Sequence, residues 1–216
     1  MSDSAAFLDA LKRGDRRDAD RIVDRVLDRG DGLHGLYLKV IQPAMQELGR
    51  LWQENELTVA EEHLASAITQ ASMGRAFERV YRWHESRNPT MIAACVDDER
   101  HQMGLRMLCD LLELEGWDTA YLGASVPIES LVSMVRKRNP TVVALSATIA
   151  PHLPRLRAAI EAIRAEPIEN QPLIVAGGRA INGDAQLAAR LGADMTASDA
   201  ALAVEQLRER FSSAVK

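Results

Sequence analysis

The hydrophobic pattern changes its period once along the 216 residues, at a short polar stretch that ends in proline. Before His84 the apolar residues recur every three to four positions, as on one face of a helix. Beyond the polar stretch, short apolar runs alternate with helical segments, which is typical of a parallel sheet covered by helices. The sequence therefore predicts a helical domain at 1–84, a linker at 85–89 and a second domain at 90–216.

The first domain is predicted as four helices joined by short loops, which is typical of a four-helix bundle. Gly30 and Gly32 separate the second helix from the third, and Pro43 predicts a kink in the third. Thr58 is a good N-cap for the fourth helix, and Glu61, three residues later, completes the pattern of a capping box.

The second domain is predicted as an α/β domain with an open, parallel, five-stranded sheet of the Rossmann-like or flavodoxin-like kind. Its predicted strands are the apolar runs near 90–96, 119–122, 141–145, 172–176 and 193–195. In such a sheet a ligand binds beyond the carboxyl ends of the strands, at the point where the strand order reverses. Polar residues and glycines that directly follow the strands are therefore the candidates for a site.

Composition argues against several kinds of partner. The formal net charge is -5, and only three Trp, three Tyr and three Phe are present, which disfavours direct binding of nucleic acid. No apolar run reaches 18 residues and the N-terminus has no apolar signal segment, so no membrane span is expected. Cys95 and Cys109 lie in apolar runs and are expected to be reduced core thiols of a cytoplasmic protein.

The loop after the first strand carries Glu99, His101 and Gly104. A carboxylate two residues before a histidine is typical of a metal ligand whose second ring nitrogen is held by the acid. One histidine cannot build a zinc site, which needs three or four protein ligands. A single ligand suits a metal that is already held in a macrocycle. Taken alone, however, this histidine fits a structural role better than a ligand role.

Two later loops point to the same edge of the predicted sheet. Ser146 and Thr148 follow the third strand, and Gly177 and Gly178 follow the fourth. Glycine lets a bulky group approach the backbone closely. The three loops together outline one crevice that would fit a long, flat ligand with a buried tail.

As a set, these loops resemble the D-x-H-x-x-G, S-x-T/L and G-G signature of cobalamin-binding domains of the methionine-synthase type. The matching residues are Glu99, His101, Gly104, Ser146, Thr148, Gly177 and Gly178. The helical domain resembles the cap that precedes the cobalamin-binding domain in that family. The resemblance therefore implies a cobalamin cofactor.

The resemblance also implies a role for each residue of the signature. His101 would bind cobalt from the lower face in place of the dimethylbenzimidazole of the cofactor, and Glu99 would hold the imidazole. Gly104 would open the start of the following helix. The slot for the nucleotide tail would be lined by Ser146, Thr148, Gly177 and Gly178. The chain departs from the family at Glu99, where the signature has Asp, because a longer carboxylate can shift or turn away from the histidine.

A second signature spans the turn between the third and fourth helices, where Trp52 precedes Glu62 and His63. Spacing alone fits a core tryptophan followed by a surface pair. The W-x9-E-H pattern resembles the cap of cobalamin photoreceptors of the CarH/LitR type. By that resemblance Trp52 would cover the 5'-deoxyadenosyl ligand, and Glu62 and His63 would contact it. The family has a histidine directly after the tryptophan, where this chain has Gln53.

These resemblances imply a light-sensing regulatory protein that binds adenosylcobalamin, in which photolysis of the Co–C bond changes cap packing and protein association. A homo-oligomer, either a dimer or a tetramer, is expected. The family also has an N-terminal helix-turn-helix domain, whereas this chain starts with the helices, so we expect a partner regulatory protein rather than DNA. Some relatives, the photocobilins, also bind a bilin such as biliverdin, which leaves a second chromophore open.

Two other functions stay open. The alternative is a corrinoid carrier protein that moves methyl groups between methyltransferase partners, and the third is a binding module without a cofactor. No nucleophile–base pair is evident. Radical mutases add a barrel that binds their substrate, and this chain shows no such barrel, so it is not expected to be an enzyme.

Overall fold

The computed structural model describes residues 1–82 and 89–212 and divides the chain into two compact units, 1–82 and 83–216. The predicted end of the first domain at His84 and the linker residues 85–88 lie outside the described residues. The predicted domain limits therefore stay a prediction. Within the described ranges, no helix combines the length and the apolar character needed to cross a membrane.

The first unit is helical in all its regular elements. They are α1 (Asp3–Lys12), α2 (Arg16–Asp28), α3 (Gly32–Leu36), a π-helical turn (Tyr37–Ile41), α4 (Gln42–Gln53) and α5 (Val59–Val80). Phe7, Val23, Leu48 and Met73 come from four different helices and are almost completely buried. These side chains belong to the apolar core of the unit.

The predicted third helix consists of α3, the π-helical turn and α4 in direct succession. Pro43 has no backbone N–H, and in a regular helix its ring would clash with the carbonyl group four residues earlier. The N–H of Gln42 instead donates to the carbonyl of Tyr37, five residues back, which widens the helix just before the proline. The π-helical turn thus accommodates Pro43 within one helical run.

Charged side chains join α2 to α5. Oδ1 of Asp20 accepts a hydrogen bond from the Ser72 hydroxyl at 2.8 Å, and Asp24 pairs with Arg75 at 3.0 Å and Arg79 at 2.9 Å. The acidic side chains lie four residues apart on α2, which places them one above the other on one helix face. The charges on α2 therefore form interhelical contacts as well as a solvated surface.

The second unit contains a parallel sheet with helices between its strands. Its elements are β1 (Thr90–Val96), α6 (Met103–Leu114), β2 (Asp118–Val126), α7 (Ile128–Arg138), β3 (Val142–Ser146), a 3-10 turn (Ala150–His152), α8 (Leu153–Arg164), β4 (Leu173–Gly177), α9 (Ala185–Arg190) and α10 (Ala200–Ser212). The strand order is β2-β1-β3-β4. The α/β class and the parallel sheet agree with the prediction.

The sheet has four strands in the described residues, not the five that were predicted. The run at 193–195 forms only one parallel bridge, between Met195 and Val175. The N–H groups of Asp194 and Met195 both donate to the carbonyl of Ile174, while the Asp194 carboxylate accepts from the Ile174 N–H at 2.7 Å. A side chain thus takes the place of a backbone partner, so the ladder does not extend into a fifth strand.

The capping box predicted at the start of α5 is confirmed. The Glu61 N–H donates to Oγ1 of Thr58 at 3.3 Å, and the Thr58 N–H donates to the Glu61 carboxylate at 2.7 Å. These contacts satisfy backbone donors that the first turn of a helix leaves unpaired.

We expect Thr58→Ala to lower the free energy of unfolding of the first unit by about 1 kcal/mol, because the N-cap oxygen is lost. Thr58→Ser retains that oxygen and serves as the control. Urea unfolding followed by helical circular dichroism measures both variants. Equal stability of Thr58→Ala and the wild type would contradict this role of the cap.

Candidate functional site

The sheet register brings the predicted loops to one edge. Cys95 of β1 pairs with Ser146 of β3, and Ser146 pairs with Gly177 of β4, so these three strands end side by side. The strand order changes direction between β1 and β3, because β2 lies on the other side of β1. The loops after β1 and β3 therefore flank the topological switch point, where open α/β sheets bind ligands.

Glu99 is the centre of this edge. Its carboxylate is fully buried and accepts hydrogen bonds at both oxygens. Oε1 accepts from the His101 N–H at 2.8 Å and lies 2.6 Å from Nδ1 of the same histidine. Oε2 accepts from the Thr148 N–H at 2.5 Å and lies 3.0 Å from Nδ1 of His152. The structure thus joins the loop after β1 to the loop after β3 through one carboxylate.

The hydrogen bonds keep this carboxylate ionised. Burial by itself raises the pKa of Glu99, but the bonds from the two histidines and from the Thr148 N–H outweigh burial and lower the pKa to about 2. An ionised carboxylate only accepts hydrogen bonds, so Nδ1 of His101 is the donor. In the neutral imidazole, Nε2 then carries the lone pair that a metal ligand requires.

The signature has Asp where this chain has Glu99, and the longer side chain of Glu99 could turn away from His101. In the structure it does not turn away. The imidazole of His101 is 54% exposed while Nδ1 is held at the buried carboxylate. The loop reaches this arrangement through Asp98, whose φ of +64° is left-handed. The Asp98 N–H donates to Oγ of Ser125 at 3.0 Å, and the Ser125 N–H donates to the Glu99 carbonyl at 2.9 Å. The end of β2 therefore supports the loop as well.

His152 and Ser125 also belong to this edge, and neither was predicted from the sequence. His152 lies in the 3-10 turn after β3 and is buried, and it lies 53 residues beyond Glu99 in the chain. One signal could have found it, because it is a histidine in the loop after β3 that also carries Ser146 and Thr148. Ser125 carries no comparable signal, since serine is common where strands end.

The signature glycines have different local surroundings. Gly178 has φ +97°, and a Cβ atom there would lie 2.2 Å from the carbonyl oxygen of Ala147, so only glycine fits. At Gly177 and Gly104, a Cβ atom would meet nothing within 4 Å. Gly178 thus serves the packing of the chain itself, whereas Gly177 leaves open space beside Ser146.

The residues of the second signature lie in the first unit. Trp52 is in the last turn of α4 and is 40% exposed, so the alternative of a core tryptophan is wrong. Glu62 and His63 lie near the start of α5, with Oε2 of the acid 2.6 Å from Nδ1 of the histidine. The hydroxyl of Ser66 donates to the other oxygen of Glu62 at 2.7 Å. The acid therefore orients His63, whose side chain is 68% exposed.

The donor set at the sheet edge fits a corrinoid better than a bare metal ion. Across residues 1–82 and 89–212, no three His, Cys, Asp or Glu side chains gather closely enough to hold a metal. His101 offers one partly exposed imidazole with an anionic partner, which suits a metal that brings its own macrocycle. The open space at Gly177 is compatible with a bulky group beside the strand ends.

Comparison with known families identifies the chain. A family model described as a B12 binding domain matches residues 89–208, and a second model with the same description matches residues 4–76. The first match alone covers more than half of the chain. The chain therefore belongs to the family of B12 binding domains, and a corrinoid is its class of cofactor.

The relatives of the chain include a transcriptional repressor and corrinoid proteins. The HTH-type transcriptional repressor CarH of Myxococcus xanthus is 32% identical over 108 residues, which are 50% of this chain and 35% of the repressor. The chain thus spans about a third of that relative's length. Trimethylamine corrinoid protein 1 of Methanosarcina acetivorans is 23% identical over 204 residues, 93% of each chain.

A solved structure shows the same fold. The monomethylamine corrinoid protein of Methanosarcina barkeri matches with a TM-score of 0.76 and 18% identity, over 94% of this chain and 95% of that one. The chain therefore has the fold of this corrinoid protein.

The low pKa of Glu99 makes the stability of the protein depend on pH. A pKa lowered from 4.5 to about 2 means that the ionised carboxylate stabilises the folded state above about pH 4.5, and this contribution is lost as the pH falls toward 2. We expect the free energy of unfolding to fall more steeply over this range in the wild type than in Glu99→Gln. Urea titrations at a series of pH values measure both slopes, and parallel profiles would contradict the assignment.

Gly177 and Gly178 are adjacent and make a matched pair of positions. They distinguish a glycine that the packing of the chain requires from a glycine that leaves space for a ligand. We expect Gly178→Ala to lower the free energy of unfolding by more than about 2 kcal/mol, because the new methyl group meets Ala147 and the left-handed φ is strained. Gly177→Ala should unfold at the wild-type temperature but bind cobalamin more weakly. Differential scanning calorimetry and cobalamin titration separate the two effects. Equal stability of the two variants would refute the steric account.

Proposed function

We propose that this chain is a light-sensing regulatory protein that binds adenosylcobalamin, with His101 as the protein ligand of cobalt. The observation that carries the cofactor assignment is the buried, ionised Glu99 carboxylate, which holds Nδ1 of a half-exposed imidazole at the switch point of the sheet. Light sensing rests on a different set of residues, which are Trp52, Glu62 and His63.

On the lower side, Glu99 would hold His101 in the tautomer that directs Nε2 toward cobalt. The anion beside Nδ1 also raises the basicity of the ring, which strengthens a metal bond. Ser146, Thr148 and the two glycines at 177 and 178 would line the slot for the nucleotide tail. Gly104, in the first turn of α6, would keep that turn open, since a Cβ atom there meets no neighbour.

On the upper side, Trp52, Glu62 and His63 would contact the adenosyl group. Adenosylcobalamin, when bound, supplies a cobalt–carbon bond that visible light cleaves. An indole that is 40% exposed and a histidine oriented by an acid offer a flat apolar face and a hydrogen-bonding group, both of which a nucleoside can use. The loss of these contacts after illumination would change cap packing, which provides the two states that a switch requires.

The corrinoid carrier function is the second candidate, and two observations favour it. The trimethylamine corrinoid protein aligns over 93% of both chains, whereas the CarH match covers half of this one. Gln53, in place of the histidine that follows the tryptophan in CarH-type proteins, removes one residue of the light-sensing set. A carrier would use the same His101 ligand and would accept a methyl group instead of an adenosyl group.

Illumination of the reconstituted protein distinguishes the two functions. The protein is loaded in the dark with adenosylcobalamin or methylcobalamin, and its absorption spectrum and its mass in solution are recorded before and after green light. Light sensing predicts preferred binding of the adenosyl form and a change in both spectrum and oligomeric state. Preferred binding of the methyl form with no change in mass would favour the carrier.

Trp52→Ala tests the contacts proposed on the upper face of the cofactor, and His101→Ala tests the cobalt ligand proposed on its lower face. We expect Trp52→Ala to bind cobalamin with nearly unchanged affinity but to lose most of its preference for the adenosyl form. His101→Ala should weaken binding of every cobalamin or give the spectrum of a cofactor without a histidine ligand. Unchanged adenosyl preference in Trp52→Ala would remove the tryptophan from the proposed site.

A bilin as second chromophore stays a prediction, and its long-wavelength absorption would appear in the spectrum of the protein as purified. The dimer or tetramer, and a regulatory protein that receives the signal, also stay predictions. The change in mass on illumination bears on the oligomeric state directly.

A further inference from the structure

The loop after β3 exposes three apolar residues in succession, which are Ile149, Ala150 and Pro151. Ile149 alone is a large side chain, and it is 41% exposed. Exposed apolar residues in a row are unfavourable in water and usually mark a functional surface. Within residues 1–82 and 89–212, no other three successive apolar residues are all exposed. We call residues 149–151 the apolar segment.

The backbone of the apolar segment is fixed at both ends. Directly before it, the Thr148 N–H donates to Oε2 of Glu99 at 2.5 Å. Directly after it, the His152 N–H donates to the Ile149 carbonyl at 3.0 Å and closes the 3-10 turn. Pro151 restricts the backbone between these two hydrogen bonds. The segment is therefore ordered before any ligand binds, which lowers the entropy cost of binding.

The carboxylate of Glu99 brings the apolar segment close to His101. Oε1 accepts a hydrogen bond from the His101 N–H, and Oε2 accepts one from the Thr148 N–H, so a single carboxylate separates the two loops. The His101 imidazole is 54% exposed. A flat macrocycle whose metal binds Nε2 is much wider than an imidazole, so it also covers the surface around the histidine. Because Ile149 directly follows Thr148, the apolar segment belongs to that surface.

We propose that the apolar segment is a contact surface for the corrin ring, on the face of the ring from which His101 binds cobalt. Ile149 makes the main contact, because it has the largest side chain of the three residues. The ring removes apolar area from water that the protein alone leaves exposed, and this burial stabilises the complex. The inference rests on the proposed function, since it requires that the protein binds a corrinoid.

The affinity of the protein for two corrinoids tests this contact. Aquocobalamin carries the nucleotide tail, whereas diaquacobinamide has the ring without the tail. We expect Ile149→Ala to weaken the binding of both about tenfold, because most of the apolar area that the ring would bury is lost. Ile149→Leu keeps that area and should bind both within about threefold of the wild type. The melting temperature of the free protein should stay unchanged in both variants, because the side chain is exposed.

Leu202 provides a matched control in the same unit. It is 37% exposed, which is close to the exposure of Ile149. It lies in α10 and lines a separate cavity with Asn182 and Gln206, and none of the signature residues lines that cavity. We expect Leu202→Ala to bind both corrinoids as the wild type does. The mass of each variant in solution is also measured, because a second copy of the chain could cover the apolar segment instead of the ring.

Each departure from these results contradicts a different part of the proposal. Wild-type affinity of Ile149→Ala for both corrinoids would overturn it, as would an equal loss in Leu202→Ala. A loss with aquocobalamin alone would mean that Ile149 contacts the nucleotide tail and not the ring. Unchanged affinity with a smaller mass in solution would mean that a second copy covers the segment. If the wild type binds neither corrinoid, the proposed function fails and this inference fails with it.

Discussion

The carboxylate of Glu99 connects the segments that meet at the carboxyl edge of the sheet. Moving a carboxylate out of water costs several kcal/mol unless hydrogen bonds replace the lost hydration. In this protein two backbone N–H groups and two imidazoles replace it. Because those donors come from the loops after β1 and β3, neither loop can move without exposing or unpairing a buried charge. The imidazole of His101 is therefore presented by a site that is already assembled.

The sheet topology makes this assembly possible. Parallel strands in the order β2-β1-β3-β4 end on one edge, and the register places Cys95, Ser146 and Gly177 in neighbouring positions. The Ala147 N–H donates to the Gly177 carbonyl at 3.0 Å, and Gly178 packs against the same residue. The loop after β4 is thereby joined to the loop after β3. One network thus positions the residue proposed to bind cobalt and the residues proposed to line the slot for the nucleotide tail.

The parts that sequence could predict are those that depend on local chemistry. The capping box at Thr58 and the strand runs follow from spacing and propensity, and the loops after the strands follow from the parallel fold. Other features depend on contacts between distant segments. The contact between Glu99 and His152 depends on the path of the chain after β3. The described part of the chain has four strands instead of five because the side chain of Asp194 replaces a backbone partner. The exposure of Trp52 likewise depends on which face of α4 packs inward.

The central claim is that His101, oriented by Glu99, is the protein ligand of cobalt. Electron paramagnetic resonance of the cobalt(II) form of cobalamin, bound to protein that carries ¹⁵N only in histidine, tests this claim most directly. A histidine ligand predicts that the nitrogen splitting changes from the triplet of ¹⁴N to the doublet of ¹⁵N, and that the doublet is lost in His101→Ala. A triplet that persists in the labelled protein, or a spectrum without nitrogen splitting, would contradict the account.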